Sequence, residues 1–295
     1  MIKLNGLYPP LPTSFKEDEN LYLLKIQENI QKLCTHDLAG ILVLGSNGEL
    51  VMLSKEEKKK VYETARKAIP AGKLMIAGSG AQSTRETIEL SKIASGSGAD
   101  AVLVLSPSYY KGQMSSEALA VFYHDVADNS PVPVIIYNMP SNSGLDMDAE
   151  TILAAAQHDN IIGLKDSGGN LVKMGAVIKN AKPNFQVLAG SAGFLLPALS
   201  LGAVGGILAL ANIAPELCLD IYKSFLAGDM DSAQKYQLDA VELNTAVTRK
   251  WGVPALKTAM DHLGLYGGPV RKPLLPLNGS IKSQLIELIN KSFPE

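Results

Sequence analysis

The stretch VPVIIYNMPSNSGLDMDAETILAAAQHDNIIGLKD, residues 132–166, contains two short apolar runs separated by a longer segment with helical spacing. The runs VPVIIYN and NIIGLKD are rich in apolar and β-branched residues, which is typical of strands buried on both faces. Between them, Asp148 is a residue of the type that caps helix N-termini. The stretch is therefore predicted to form one strand–helix–strand unit.

The same alternation extends over most of the chain. Eight apolar runs are predicted as strands: LYPPLPT near Leu7, AGILVLGS from Ala39, KLMIAGSG from Lys73, DAVLVLSP from Asp100, VPVIIYN from Val132, NIIGLKD from Asn160, FQVLAGS from Phe185 and AVGGILAL from Ala203. Helices are predicted to begin after Ser54, where Glu57 completes a capping box, and after Ser83 and Ser115. Eight such units predict an α/β fold, a (β/α)8 TIM barrel, rather than an open doubly wound sheet.

Three or four helical segments follow the eighth strand. We expect residues 1–225 to form the barrel that carries the active site, and residues 226–295 to form a C-terminal helical extension packed on it. A chain of 295 residues without an obvious linker suits this single barrel.

The composition favours a protein that binds a small ligand. Hydrophobic residues make up 46% of the chain, and the net charge of -2 provides no basic surface for nucleic acid or an anionic membrane. Cys34 and Cys218 are far apart and are predicted to be buried apolar thiols rather than a disulfide or zinc site. No metal site is predicted, because none of the four histidines ends a strand.

The first residues, MIKLNGLYPPLP, contain neither a long apolar run nor an Arg-rich amphipathic stretch. They predict a cytoplasmic protein without a targeting segment. A mitochondrial presequence removed before this chain begins would leave no trace in it.

Lys165 ends the apolar strand NIIGLKD. With a period of two, Ile161, Gly163 and Lys165 share one face, and Ile162, Leu164 and Asp166 share the other. If the first face lines the barrel, Lys165 projects into its mouth among apolar walls, which disfavour the ammonium and supply an amine that can attack a ketone. The alternative is a lysine that ends the strand in solvent.

Other strand ends carry polar groups. Tyr137 is predicted to point inward and to relay protons, although a packing role with a hydrogen-bonded hydroxyl is the alternative. The turn GSNGE offers backbone amides together with Ser46 and Asn47 for a carboxylate, or is an ordinary strand-to-helix turn. Tyr109 and Tyr110 lie in a loop, where exposed aromatic residues often contact ligands or partners.

The sequence is also compatible with other functions. Glycine-rich ends of the seventh and eighth strands are where many barrels bind phosphate, which would suit a phosphate-dependent lyase or isomerase. Neither loop contains an arginine or a lysine to support this. The GSGAQS segment departs from the dinucleotide fingerprint, and the chain lacks the GxSxG motif of hydrolases.

Taken in order, GSNGE (45–49), YNMP (137–140), GLKDS (163–167), LAGSAGF and ALAN resemble the pyruvate-dependent class I aldolases, the family of dihydrodipicolinate synthase and N-acetylneuraminate lyase. The resemblance covers essentially the whole chain. It implies a Schiff-base lysine at Lys165, a proton-transferring tyrosine at Tyr137 and a carboxylate-binding turn at Ser46 and Asn47.

The resemblance implies further roles and a quaternary structure. Tyr109 matches a tyrosine that reaches into a neighbouring subunit's site, and Gly190 and Ile207 match positions that line the pocket. Ser167 is expected to help bind carboxylates. The resemblance also implies a homotetramer built as a dimer of dimers, without a metal or organic cofactor.

Two departures narrow the expected substrate. Dihydrodipicolinate synthases carry an arginine shortly after the YN-P motif, where this chain has Asn142, so the fork for a second carboxylate is missing. The turn also has Asn47 where many members have threonine. Seven segments resemble the 4-hydroxy-2-oxoglutarate aldolases of this family: GSNGE, SYYKGQMSS, KDSGG, QVLAGSAGFL, SLGAVGGILALAN, AVTRKWGVPALK and YGGPVRKPL.

The sequence therefore predicts a lyase that cleaves a 4-hydroxy-2-oxo acid, with 4-hydroxy-2-oxoglutarate giving pyruvate and glyoxylate. The alternatives within the family are a 2-keto-3-deoxy sugar acid aldolase and a dihydrodipicolinate synthase-type condensation. A different class of protein, a non-catalytic barrel that binds 2-oxo acids, is the remaining alternative, although a binder needs neither Lys165 nor Tyr137.

Overall fold

The computed structural model describes residues 2–293, so Met1 and the last two residues of the predicted extension lie outside the described residues. The strands are β1 (Gly6–Tyr8), β2 (Gly40–Val43), β3 (Leu74–Gly78), β4 (Ala101–Leu105), β5 (Val134–Asn138), β6 (Ile161–Asp166), β7 (Gln186–Ala189) and β8 (Gly205–Ile207). All eight predicted strands are present.

Helices connect the strands and follow the last one. They are α1 (Leu23–Leu33), α2 (Lys55–Ala68), α3 (Thr84–Gly96), α4 (Ser116–Asn129), α5 (Pro140–Ser143), α6 (Ala149–Ala155), α7 (Leu171–Asn180), α8 (Leu195–Ser200), α9 (Pro215–Leu226), α10 (Met230–Thr245), α11 (Gly252–His262) and α12 (Gly279–Ser292).

The strands form one parallel sheet in the order β1-β8-β7-β6-β5-β4-β3-β2. Its two ends meet through a bridge between Pro10 and Leu42, where the Leu11 amide donates to the Leu42 carbonyl at 2.8 Å. The predicted (β/α)8 barrel is confirmed. In such a barrel, the C-terminal ends of the strands open onto one face, where active sites lie.

Two apolar layers surround the strands. The interior layer fills the barrel and consists of Leu4, Tyr8, Leu42, Ile76, Ala101, Leu103, Ile135, Tyr137, Ile162, Leu188 and Ile207. The outer layer packs the opposite strand faces, including Ile136 and Leu164, against the helices. The alternation of inward and outward residues thus directs Tyr137 into the barrel.

The alternation predicted for β6 is wrong at the start of the strand. Ile161 packs in the outer layer and Ile162 lies inside the barrel. The register shifts here, because Val134 pairs with Ile161 while the next residue of β5, Ile135, pairs with Gly163. One extra residue on β6 reverses the faces before Gly163, as a bulge does. From Leu164 to Asp166 the strand follows the predicted pattern.

The predicted helix starts are confirmed. Ser54 forms the capping box with Glu57, and the side chains of Ser83, Ser115 and Asp148 accept hydrogen bonds from backbone amides three residues on. These contacts satisfy amide groups that have no partner within the helix. They fix where each helix leaves the loop that follows a strand.

Helices α10 to α12 lie within the segment predicted as a C-terminal extension, and the division of the chain at residue 225 stays a prediction.

Cys218 is buried as predicted, but the prediction for Cys34 is wrong, because this residue is only partly buried. Within residues 2–293, no helix is both long enough and apolar enough to cross a membrane.

Candidate active site

A cavity of 510 Å³ lies at the C-terminal ends of β5, β6 and β8 and beside the loops that follow β2 and β7. Eight of the nine predicted site residues line it: Ser46, Asn47, Tyr137, Asn142, Lys165, Ser167, Gly190 and Ile207. The ninth, Tyr109, does not. Ser46 and Ile207, which are 161 positions apart in the chain, are thus brought to one site.

Lys165 and Tyr137 are direct neighbours on β6 and β5. Each is only 4% exposed. The Lys165 Nζ lies 4.1 Å from the centre of the Tyr137 ring. The Tyr137 hydroxyl lies 3.2 Å from the Ser46 Oγ, and either group can donate the hydrogen bond. The pair therefore places a primary amine and a phenol side by side at the base of the cavity.

Ser46 and Asn47 lie in a short 3-10 turn, Ser46–Gly48, directly after β2. The Thr13 hydroxyl donates a 2.6 Å hydrogen bond to the Gly48 carbonyl and anchors the end of this turn. A Cβ at Gly48 would lie 3.3 Å from the Leu11 carbonyl oxygen, so the close approach to the β1 loop favours glycine. Ser46 and Asn47 remain half-buried and present polar side chains to the cavity.

Ser167 follows β6, and its Oγ is buried without a hydrogen-bond partner among residues 2–293. A buried hydroxyl without a partner is costly, which favours a ligand at this point. Gly190 lies against it, and a Cβ there would overlap the Ser167 Oγ. Gly190 therefore leaves room for the hydroxyl beside the cavity.

Asp166 points away from Lys165, as predicted. It is fully buried, and its Oδ1 accepts hydrogen bonds at 2.8 and 3.2 Å from the backbone amides of residues 168–169. Its Oδ2 accepts a 2.9 Å hydrogen bond from Asn138 and lies 3.3 Å from the Lys173 Nζ. These contacts fix the loop that carries Ser167, so Asp166 positions the site rather than pairing with the amine.

The C-terminal helices contribute residues that the sequence analysis missed. After α10, a π-helical turn, Ala246–Lys250, brings Thr248 and Arg249 to the cavity, and Val253 of α11 joins them. In a barrel, catalytic side chains are expected at strand ends, whereas this segment follows a helix. One indication is present in the sequence: the helical pattern breaks within AVTRKWGVP, next to a cation, as a segment that contacts a ligand can do.

A profile of the dihydrodipicolinate synthetase family matches residues 3–292. The chain belongs to this family. Among curated relatives, a protein named probable 4-hydroxy-2-oxoglutarate aldolase, mitochondrial, from Emericella nidulans is 38% identical over 98% of this chain and 94% of its own length. An L-threo-3-deoxy-hexylosonate aldolase from Hypocrea jecorina is 35% identical over 98% of this chain and 96% of its own.

Among solved structures of the family, YagE, a prophage protein from E. coli K12 in complex with pyruvate, has a TM-score of 0.92. The two chains are 30% identical, and the match covers 99% of each. Membership in the dihydrodipicolinate synthetase family makes this chain a lyase of the aldolase class. The predicted resemblance is confirmed, and the binding-barrel and phosphate-isomerase alternatives are set aside.

Tyr109 lies on the loop between β4 and α4 and is 79% exposed. Its ring packs edge-on against Tyr110, with the ring centroids 5.0 Å apart. The side chain therefore faces outward from this chain. Its expected role in a neighbouring subunit's site stays a prediction.

A buried ion pair supports the Ser46–Gly48 turn from below. Glu49, which has a left-handed backbone (φ 55°), lies 2.6 Å from the Lys257 Nζ, and both side chains are 1% exposed. Burial lowers the pKa of Lys257, and attraction to Glu49 offsets only part of this effect. The Arg271 amide donates to the other Glu49 oxygen at 2.8 Å. Residues of the C-terminal segment thus hold the Ser46–Gly48 turn in place.

The Arg271 guanidinium extends this support to α2, donating to both Glu57 oxygens at 2.7 and 2.9 Å. This contact holds the pKa of Glu57 below its ordinary value of 4.5, although burial opposes the shift. A lowered carboxyl pKa stabilises the fold above the unfolded pKa, and this contribution is lost as the pH falls. Glu57→Gln should therefore cost about 1–2 kcal/mol of unfolding free energy at pH 7.

The difference between Glu57→Gln and the parent should shrink as the pH falls below 4.5, because the parent loses its charged carboxylate there. Urea denaturation at a series of pH values measures this. Glutamine also serves in capping boxes, so the start of α2 is preserved. Glu63→Gln is the control, since its contact with Lys59 is 3.8 Å long and exposed. A difference for Glu57→Gln that stays constant down to acid pH would contradict this role.

Proposed function

We propose that this chain is a pyruvate-forming Schiff-base aldolase whose substrate is 4-hydroxy-2-oxoglutarate, with Lys165 as the amine that binds the substrate. The observation that carries the proposal is the Lys165 Nζ, 4% exposed and 4.1 Å from the centre of the Tyr137 ring, at the base of a cavity. The described residues that line this cavity include no carboxylate that could pair with the amine. An amine in this position is a suitable nucleophile for a ketone.

The proposed reaction begins with attack of the Lys165 Nζ on the C2 carbonyl of the substrate. The resulting carbinolamine loses water and becomes an iminium ion, which acts as the electron sink. Tyr137 donates its proton to the departing carbinolamine hydroxyl, which leaves as water. The phenolate so formed then takes the proton from the C4 hydroxyl as the C3–C4 bond breaks. The bonding electrons pass into the iminium and form an enamine, while glyoxylate leaves as the aldehyde.

The second half of the reaction releases the other product. The enamine is protonated at C3, and water hydrolyses the new iminium to give pyruvate and free Lys165. Tyr137, hydrogen-bonded to Ser46 at 3.2 Å, is placed to return the proton. Ser46, Asn47 and Ser167 bind carboxylate through hydroxyl and amide donors. The lysine itself supplies the electron sink, so this chemistry needs no metal or organic cofactor.

The proposed substrate rests on the aldolase relatives and on the sequence departures. The Emericella relative is named for 4-hydroxy-2-oxoglutarate, while the Hypocrea relative favours a 2-keto-3-deoxy sugar acid as the second candidate. Asn142 takes the place expected of an arginine in the synthases, which argues against synthase-type condensation. The exposed Asn142 side chain lines the cavity without a charge.

Retro-aldol assays test the substrate. We would compare 4-hydroxy-2-oxoglutarate, 2-keto-3-deoxy sugar acids and N-acetylneuraminate, following pyruvate release with lactate dehydrogenase and NADH. The proposal expects the highest kcat/KM for 4-hydroxy-2-oxoglutarate, with glyoxylate formed in equal amount to pyruvate. A higher kcat/KM for a sugar acid would transfer the assignment to that substrate class.

We also propose a homotetramer, a dimer of dimers, in which Tyr109 of one subunit reaches its neighbour's cavity. The outward-facing Tyr109 and Tyr110 side chains, 79% and 67% exposed, support this arrangement. Sedimentation equilibrium tests it, because a mass equal to one 31.4 kDa chain would contradict it. The compartment stays a prediction; the Emericella relative is named mitochondrial.

A further inference from the structure

The cavity contains a second cation whose role the proposed reaction leaves open. Among its lining residues within the described part of the chain, the charged side chains are Lys165 and Arg249, and none is acidic. Within residues 2–293 the arginines that form salt bridges are Arg66 and Arg271, so no carboxylate there lies within 4.0 Å of the Arg249 guanidinium. Because the amine of Lys165 is used for the imine, Arg249 is the cation left to bind an anionic group of the ligand.

The backbone that carries Arg249 is unusual. It lies in the π-helical turn Ala246–Lys250, which widens the helical path directly after α10. Such turns occur frequently at functional sites. The chain then turns sharply at Gly252, which has a positive φ of 63° and begins α11. The segment therefore departs from regular helix at the point where it meets the cavity.

This segment is tied to the barrel by hydrogen bonds. The Thr248 hydroxyl donates to the Asn244 carbonyl at 2.5 Å, and the Asn244 Nδ2 donates to the Ser191 Oγ at 3.0 Å. Ser191 directly follows Gly190 at the end of β7 and lines the same cavity. Arg249 is therefore held on an anchored element rather than on a free loop.

The guanidinium lies beside the loop that follows Lys165. A Cβ built at Gly169 would approach an Arg249 Nη at 3.7 Å and the Phe194 ring at 3.3 Å. The Arg249 guanidinium therefore packs beside Gly169, on the loop that carries Ser167. Arg249 and the Ser46–Gly48 turn thus come from different elements around Lys165, and each can bind an anionic group.

We propose that Arg249 is the specificity-determining residue that binds the distal carboxylate of the substrate, so that the enzyme selects 2-oxo diacids. The inference rests on the proposed function and deepens it. A guanidinium binds carboxylate through two parallel hydrogen bonds, which a neutral end group cannot accept in the same way. Asn142, which follows β5, carries no charge. Arg249 supplies the cation instead, from the C-terminal helical segment.

The test compares two ligands of equal chain length, 2-oxoglutarate and 2-oxopentanoate, which differ in the distal carboxylate. Calorimetric titration should show that the parent protein binds 2-oxoglutarate more tightly. Arg249→Gln should weaken the binding of 2-oxoglutarate by about 10- to 100-fold, the change expected for loss of a charge-assisted contact. It should leave the binding of 2-oxopentanoate unchanged. kcat/KM for 4-hydroxy-2-oxoglutarate should fall in parallel.

Two control variants sharpen the comparison. Lys250→Gln removes the adjacent charge, which stacks on Trp251 at 4.2 Å and does not line the cavity. It should leave the binding of both ligands unchanged. Arg249→Lys keeps the charge without the planar fork, and should restore part of the preference for 2-oxoglutarate.

The outcomes separate this inference from the proposed function. The assignment of Arg249 would be overturned if Arg249→Gln weakened the binding of both ligands equally, or if it did not weaken the binding of 2-oxoglutarate. If the parent prefers 2-oxoglutarate through Arg249 but does not cleave 4-hydroxy-2-oxoglutarate, the inference stands and the proposed substrate fails.

Discussion

Lys165→Met should reduce kcat for cleavage of 4-hydroxy-2-oxoglutarate by at least ~10⁴-fold, as expected for loss of a covalent nucleophile. Methionine has nearly the same length and no charge, so it suits a position that is 4% exposed. The fold should persist, because the described residues place no carboxylate in ion-pair contact with this amine. Steady-state assays of pyruvate release measure the loss, with circular dichroism to verify folding.

Lys179→Met is the matched control for this variant. Lys179 lies in the last turn of α7 and is exposed, so its replacement should leave kcat unchanged. A Lys165→Met protein that is folded and retains substantial kcat would exclude Lys165 as the nucleophile. It would also remove the basis for the proposed roles of Tyr137 and Ser167.

Tyr137→Phe should reduce kcat by about 10²- to 10⁴-fold, the range for loss of a positioned proton donor and acceptor. The ring that packs in the barrel is retained, while the hydroxyl that lies 3.2 Å from the Ser46 Oγ is removed. Stability should therefore change little. Single-turnover measurements of imine formation and of aldehyde release would show that both steps become slower.

Tyr123→Phe provides the comparison for Tyr137→Phe. Tyr123 is also buried, but its hydroxyl donates to the Val104 carbonyl at 3.2 Å in the outer layer, away from the cavity. Its loss should lower the unfolding free energy by about 1 kcal/mol and leave kcat unaltered. If the two variants had the same effect on kcat, the phenol of Tyr137 would have a structural role only.

The barrel could be predicted from the sequence because buried parallel strands leave a strong apolar pattern. A lysine and a tyrosine at strand ends stand out against that pattern, so the sequence alone predicts Lys165 and Tyr137 as site residues. The pairing of β5 with β6 then brings them together. The rule that strand ends face the active site provided this much of the site.

Other features depend on tertiary structure that the pattern does not contain. The bulge that turns Ile162 inward arises from the pairing of β6 with β5, and strand periodicity alone predicts the opposite. Arg249 reaches the cavity through a π-helical turn after α10, where no strand end marks the position. The role predicted for Tyr109 would require a contact between subunits, which the strand and helix pattern of a single chain does not encode.

The most direct test of the account is borohydride reduction of the parent protein in the presence of pyruvate, followed by peptide mass analysis. Reduction of the imine should convert Lys165 into a stable secondary amine, so the peptide containing residues 160–169 should gain the mass of the reduced pyruvate adduct. The adduct should be absent without pyruvate and in Lys165→Met. An unmodified protein, or an adduct on another lysine, would contradict the proposed mechanism.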